Sequence, residues 1–454
     1  MRDDTPVPSL QRKMHMNVLF VYTNIDGFHF DNYHFGLGSL VSVTKNADHE
    51  TKVLVLTEAD HILEYKDELQ AFQPDVVGFS SVSSQYVFIK KLAKMTKEFS
   101  SDIITVCGGV HPTLSADSLL ECDSLDGLFR GESELSFVEF LGRIQSGQDY
   151  SGTENFAYVA DGQVVSNPMK PLIQDLDILP DPDKDTYPYH ASSIVTTGAA
   201  PFFFTRGCPF TCTYCFNQHF ADLYDRKRNF PRFRSAEKCI QEIERVMEKY
   251  HEDIRYVFIG DDIFGPNDAW RNEFCSKYKE RVLGKYKKRF MILMRVEMCQ
   301  KVDLPRLLKD SGCFRVFFGV ESGDERQRKE VLDRRMSDDP IIRAFDLVRS
   351  VGLETLAVNI IGFPEETEDM IKKTVDLNRR LKPTISGVNI FYPYRGTELG
   401  DRCFQERLVD LEKFETFSKE RRESVLSFPE EHHGMLMHYY QNWSRLRGVW
   451  NTER

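Results

Sequence analysis

The sequence predicts an α/β chain in two strand–helix series: a doubly wound parallel sheet, then a partial barrel of six βα units, followed by a small helical region. Three observations lead there. Short apolar runs of β type alternate with amphipathic stretches over most of the 454 residues, and such alternation gives parallel sheets covered by helices. The alternation breaks once, at a segment dense in Pro and Asp. It resumes with six further strand-like runs, enough for about three quarters of an eight-stranded barrel.

In the first 150 residues the strands are NVLFVY (17–22), KVLVLT (52–57), DVVGFSS (75–81) and IITVCGG (103–109). Between the last two, QYVFIKKLAKMTKEF (85–99) repeats its apolar positions at helical spacing. Ligands of doubly wound sheets lie beyond the carboxyl ends of the strands. Here those ends carry TNIDGFHFDNYHFGLGS (23–39), SSVSSQ (80–85) and GGVHPT (108–113), whose small residues would let a flat or bulky ligand approach the backbone. Gly27, Gly36 and Gly38 do not fit G-x-G-x-x-G, so the dinucleotide fingerprint is missing.

Residues 151–198 include SNPMKPLIQDLDILPDPDKDTYPYH and show no sustained period, so they read as a linker and the domain boundary falls there. The second series, 199–395, consists of APFFFTRG (200–207), RYVFIGDD (255–262), RFMILMR (289–295), RVFFGVESG (315–323), TLAVNIIGFP (355–364) and ISGVNIFYPY (385–394). Helical patterns such as AEKCIQEIERVMEKY and PIIRAFDLVRSVG separate them. Partial barrels keep their chemistry on the loops after the strands. Residues 396–454 read as a helical C-terminal region.

With 59 Lys and Arg against 70 Asp and Glu, the formal charge of −11 leaves no global basic field for nucleic acid or an anionic bilayer. The N-terminal residues have no continuous apolar stretch and no later segment is long enough to span a membrane, so a cytoplasmic protein is expected. Seven of the ten cysteines, Cys107, Cys122, Cys239, Cys275, Cys299, Cys313 and Cys403, lie singly and are expected to be buried thiols.

The other three stand together in TRGCPFTCTYCFN (205–217), as Cys208, Cys212 and Cys215. Structural zinc normally takes four protein ligands. A trio with no fourth nearby suggests chemistry at a metal whose coordination the chain leaves unfinished.

The spacing C-x3-C-x2-C, placed after the first barrel strand, resembles the radical SAM superfamily. That resemblance implies a [4Fe-4S] cluster on the three thiolates, with the fourth iron open to S-adenosylmethionine. It also implies cofactor contacts at Tyr214, beside the adenine, and at Asp261 and Asp262 in IGDDIFG, near the methionyl amine; the same carboxylate pair would serve as a helix N-cap. Arg295 and Glu321, at the ends of the third and fourth strands, fall where relatives touch the ribose or methionyl part. Gly362 in NIIGFPEE falls beside the adenine, and PYRGT (393–397) looks like a signature of the cobalamin-binding subgroup, although Gly and Pro there also suit plain turns.

FQPDVVGFSS, GGVHPT and RGESELSFVEFL (130–141) are similar to the Rossmann-like cobalamin-binding domain that precedes the barrel in that subgroup. The resemblance brings Ser80, Ser81, Gly108, Gly109 and His111 to the corrin. No histidine sits in D-x-H-x-x-G, so the lower face of cobalt is expected to lack that ligand; His29, His34 and His111 stay as neighbours or as structural histidines. The implied activity is cobalamin-dependent radical methylation of an unactivated carbon of a small molecule or peptide, served by an electron donor such as flavodoxin or ferredoxin. A non-methylating rearrangement, cyclisation or ring contraction is the alternative, and a corrinoid- or metal-binding sensor the third reading. Tyr439, Tyr440, Trp443 and Trp450 would either line a substrate pocket or pack helices.

Overall fold

In a computed structural model of the protein, residues 15–27, 33–224, 230–265, 267–416 and 419–446 are described. The chain divides into two compact units: one runs to Ile173 and takes in Ile178–Ser192, and the other holds Gln174–Asp177 and everything from Ser193 onward.

The first unit is built on a sheet of seven strands: β1 Asn17–Thr23, β2 Glu50–Leu56, β3 Val76–Ser80, β4 Ile104–Gly108, β5 Gly127–Phe129, β6 Phe156–Ala160 and β7 Gln163–Ser166. Their order is β2-β1-β3-β4-β5-β6-β7. The first five are parallel, and β3 is buried at every position because helices cover both faces. Register places Tyr22 opposite Ser80 and Ser80 opposite Gly108, so the carboxyl ends of β1, β3 and β4 meet along one edge. The helix Tyr86–Phe99 buries Tyr86, Ile89, Leu92, Ala93 and Thr96, one stripe of its surface, against Val77 and Phe79.

The stretch read as linker carries more structure than its composition suggested. β6 and β7 form an antiparallel hairpin that extends the sheet beyond β5. Asp161 and Gly162 make its turn, both with positive φ (51° and 75°), as the tightest hairpins require. Further on, regular strands cease. The Asp183 carboxylate accepts from the backbone of Thr186 and Tyr187 at 2.7 and 2.9 Å, and Tyr187 and Tyr189, both fully buried, pack edge-on against Tyr33.

In the second unit six parallel strands lie side by side in chain order: β8 Ala199–Phe202, β11 Tyr256–Ile259, β12 Arg289–Met294, β13 Cys313–Glu321, β14 Glu354–Ile361 and β15 Ile385–Ile390. Helices such as Ala236–Tyr250, Asp338–Ser350 and Glu368–Leu381 make the crossovers. The first of these starts at Ser235, whose hydroxyl accepts from Lys238 N at 3.2 Å, and buries Cys239, Ile240, Ile243, Val246 and Met247. A short antiparallel pair, β9 Thr205–Arg206 and β10 Arg232–Phe233, brackets the loop with the three clustered cysteines.

C-terminal helices, among them Glu398–Gln405, Glu430–Gln441 and Trp443–Leu446, pack on the last two strands, with Leu436, Tyr439 and Trp443 against Ile361 and Ile390. Trp443 Nε1 also donates to Ser386 Oγ at 2.9 Å, so this tryptophan packs a helix rather than a ligand pocket. Tyr439 donates to Glu368 at 3.0 Å. His29 and Trp450 lie outside the described residues. All seven solitary cysteines are buried. Among the described residues, no helix is long and apolar enough to cross a membrane.

Candidate active site

The cysteine loop is tied down at both ends and in its middle. At its start Gly207 has φ 81°, and a Cβ there would lie 2.2 Å from the Phe230 ring, so only glycine fits. In the middle, the Thr213 hydroxyl donates to Val331 O at 2.6 Å and the Thr213 carbonyl accepts from Leu399 N at 3.0 Å. Cys215 N donates to Cys212 O at 3.1 Å, closing a turn between two of the thiols. Cys212 is buried and the other two are half-buried. Burial pushes the Cys208 thiol up to about 11 and the Cys215 thiol to about 12. Metal binding there must release protons.

Three charged side chains reported by the sequence surround these thiols, each differently. Asp261 turns inward: fully buried, its Oδ1 accepts from Phe204 N at 2.5 Å and Thr205 N at 3.1 Å, which fixes the backbone where β8 passes into the loop. Burial holds its carboxyl up at about 7. Asp262 is exposed, and its pKa is raised by desolvation and lowered by a hydrogen bond from the Asn217 side chain. Neither carboxylate caps the following helix; Asn267 does, accepting from Trp270 N at 2.7 Å. Arg295 points at sulfur, with Nη1 3.3 Å from Cys212 Sγ, and also pairs with Glu297 and lies over the Phe210 ring.

Glu321 ends β13 at a bulge with φ 65°, a conformation that costs a side-chain-bearing residue about 1 kcal/mol or more and concentrates at functional sites. Its carboxylate pairs with the buried Arg334 at 3.7 Å. Tyr214 lies next to that pair, its hydroxyl pushed well up by burial and then by the Glu321 charge, and its ring meets Phe363 at 6.3 Å. Gly362 (φ 83°) directly follows β14; its N–H is taken by the buried Glu366 carboxylate, and a Cβ would meet Leu436 at 2.9 Å. Burial holds Glu366 at about 8.

In the first unit, Ser80 and Ser81 are buried, and Gly109 has φ 102°. Its missing side chain makes room for the chain itself: a Cβ would sit 2.8 Å from Ser81 O, so this glycine brings the β3 and β4 loops together rather than opening space for a ligand. Gly108 is the last residue of β4, and Ser81 N donates to its carbonyl at 3.0 Å. His111 is buried on Tyr86, with Nδ1 3.2 Å from Ser83 Oγ. His34 accepts from Leu37 N at 3.1 Å as a helix cap. Thr23 Oγ1, buried at the end of β1, meets no hydrogen-bond partner among the described residues.

Residues 202–377 match the Radical SAM superfamily and residues 24–141 the B12 binding domain. The chain thus carries a B12-binding domain followed by a radical SAM domain. A relative named uncharacterized methyltransferase PH0819, from Pyrococcus horikoshii, is 27% identical over 376 residues, covering 82% of this chain and 79% of its own length. The anaerobic magnesium-protoporphyrin IX monomethyl ester cyclase of Rubrivivax gelatinosus is 27% identical over 360 residues, 77% of this chain and 62% of the cyclase. Among solved structures, the radical S-adenosylmethionine methyltransferase TsrM from Kitasatospora setae, with cobalamin and a [4Fe-4S] cluster bound, superposes with a TM-score of 0.69 at 16% identity, covering 87% and 75% of the two chains.

As a radical SAM enzyme with a B12-binding domain, the protein uses a [4Fe-4S] cluster, S-adenosylmethionine and cobalamin. The residues present suit these groups. Two guanidinium groups face the Cys212 sulfur, at 3.3 and 3.8 Å, and hydrogen bonds to ligand sulfurs are a feature of iron–sulfur sites. A [4Fe-4S] cube takes each thiolate on a different iron, as three cysteines on one loop would supply. The strand order 2-1-3-4-5 puts the crevice of the first sheet between β1 and β3, where the Thr23 hydroxyl awaits a partner. Arg334, Asn217 and Glu366 were not singled out from the sequence. Arg334 sits in DRRM, between two recognisable segments and in no motif of its own.

Proposed function

We propose that the protein is a cobalamin-dependent radical SAM methyltransferase acting on an unactivated carbon of a small molecule or peptide. Cys208, Cys212 and Cys215 hold the cluster, and Asp262, Glu321 and Tyr214 line the place for S-adenosylmethionine. The carboxyl-end loops of β1, β3 and β4, with Thr23, Ser83 and His111, take the corrin. When bound, the cluster and S-adenosylmethionine supply one-electron bond cleavage and cobalamin supplies methyl carriage. The chain's own part is placement. Asp261 fixes the entry to the thiol loop, Thr213 fixes its middle, and the ring of Tyr214, Phe363 and Phe391 keeps water from one wall.

The observation that carries this reading is a thiol trio after the first strand of a six-stranded parallel sheet, in a chain that also has a B12-binding domain. Methylation in particular is supported by the methyltransferase relative, which aligns across both units. The cyclase relative supports the second reading, a cyclisation without methyl transfer.

Anaerobic reconstitution with iron, sulfide and cobalamin, followed by S-adenosylmethionine, a reductant and candidate substrates, separates the two. A product heavier by one methylene unit, with 5′-deoxyadenosine that disappears in Cys212→Ala, is the expected result. A rearranged product of unchanged methyl count would establish the second reading instead.

A further inference from the structure

Two arginines converge on one sulfur. Arg295 Nη1 lies 3.3 Å from Cys212 Sγ and Arg334 Nη1 lies 3.8 Å from it. Both side chains are buried, and each is fixed by further contacts. Arg295 pairs with Glu297 and lies 3.9 Å above the Phe210 ring. Arg334 donates to Gly319 O and pairs with Glu321 at 3.7 Å. The other two thiols have different surroundings: a backbone N–H of Phe210 faces Cys208, one of Asn217 faces Cys215, and Asp262 adds negative charge beside both. Arg295 also bears on Cys208 and Arg421 on Cys215 through their charge, but the two direct guanidinium–sulfur contacts, at 3.3 and 3.8 Å, are both to Cys212.

Reduction adds one negative charge to an iron–sulfur cluster. A fixed cation beside a ligand sulfur favours the reduced form, and net charge and hydrogen bonds to sulfur are what set such potentials. Away from bulk water that field is weakly screened. Long before any substrate arrives, these two side chains bear on how readily the cluster takes an electron.

We propose that Arg295 and Arg334 are positioning residues that act through Cys212 to raise the reduction potential of the cluster. The proposal rests on the reading of Cys208, Cys212 and Cys215 as cluster ligands, and it gives Arg295 a partner other than S-adenosylmethionine. Glu297 and Glu321 hold the two guanidinium groups in place and offset part of their charge.

The test is an EPR-monitored redox titration of the reconstituted full-length protein, without S-adenosylmethionine or substrate, alongside iron and sulfide analysis. Arg295→Gln and Arg334→Gln are expected to shift the midpoint to more negative potential, and the double variant further, while Arg295→Lys and Arg334→Lys stay near wild type. Equal midpoints for wild type and the Gln variants overturn the proposal, as does a Lys midpoint as low as the Gln one. Where a Gln variant binds less iron, the cluster that remains still titrates, and the Lys-to-Gln comparison decides. A wild-type protein without iron–sulfur absorbance overturns the cluster reading and the proposal together; wild-type absorbance with unmoved midpoints overturns the proposal alone.

Discussion

Asp261 and Glu366 show what burial does to a single carboxyl. Both are almost wholly enclosed, and each has one oxygen committed to backbone N–H groups. Burial sets their pKa at about 7 and about 8. Unfolded, both would ionise near pH 4. Between about pH 4 and those raised values the unfolded chain has released protons that the folded one still binds, so stability falls as pH rises through that window. Each group contributes a slope of up to about 1.4 kcal/mol per pH unit there. The urea midpoint of the wild-type protein is expected to drop between pH 5 and 8, and that of Asp261→Asn/Glu366→Gln to stay flatter, since the amides keep an acceptor for the same N–H groups and cannot ionise. A mutant curve as steep as the wild-type one would count against the raised values.

Among elements, the C-terminal helices are held to the barrel by a buried polar chain. Asn378 Nδ2 donates to Asn359 Oδ1 at 2.8 Å, Ser386 Oγ donates to Asn378 Oδ1 at 2.9 Å, and Trp443 Nε1 donates to Ser386 Oγ at 2.9 Å. Trp443→Phe removes one hydrogen bond and is expected to cost about 1 kcal/mol; Trp443→Ala also empties a buried site and is expected to cost about 3–5 kcal/mol. Urea denaturation measures both, and equal losses would show that the bond, not the packing, holds the helix. Strands were legible from the sequence where apolar residues crowd a short run, as in β3 and β12, because burial on both faces leaves nothing else to pattern. The β6–β7 hairpin escaped notice although Asp161-Gly162 is a strong turn signal, because it precedes a Pro- and Asp-rich stretch that dominates the composition. At the site, spacing made the thiols legible. That Asp261 turns to backbone, Asp262 to the Asn217 side chain and Arg295 to sulfur depends on side-chain direction, which neighbouring letters do not encode.

For the molecule as a whole, the two units do not correspond to two uninterrupted stretches of chain. The chain leaves the first unit at Ile173, returns at Ile178 and leaves again at Ser192. The returning segment is firmly engaged: Tyr33 donates to Asp183 O at 2.8 Å, Ser42 to Asp181 O at 2.6 Å, and Lys45 pairs with Asp183 at 3.0 Å. A fragment ending at 173 is therefore expected to unfold at lower urea concentration and less cooperatively than one ending at 192, followed by circular dichroism; identical transitions would show that the segment adds nothing. The tethers at Thr213 have a bearing on biosynthesis. Val331, which anchors its hydroxyl, lies 118 positions downstream, and Leu399, which binds its carbonyl, lies further still. While the ribosome is still adding the later strands, the nascent loop has its local turn but not these two tethers, so its middle takes its final shape only once Leu399 has been made.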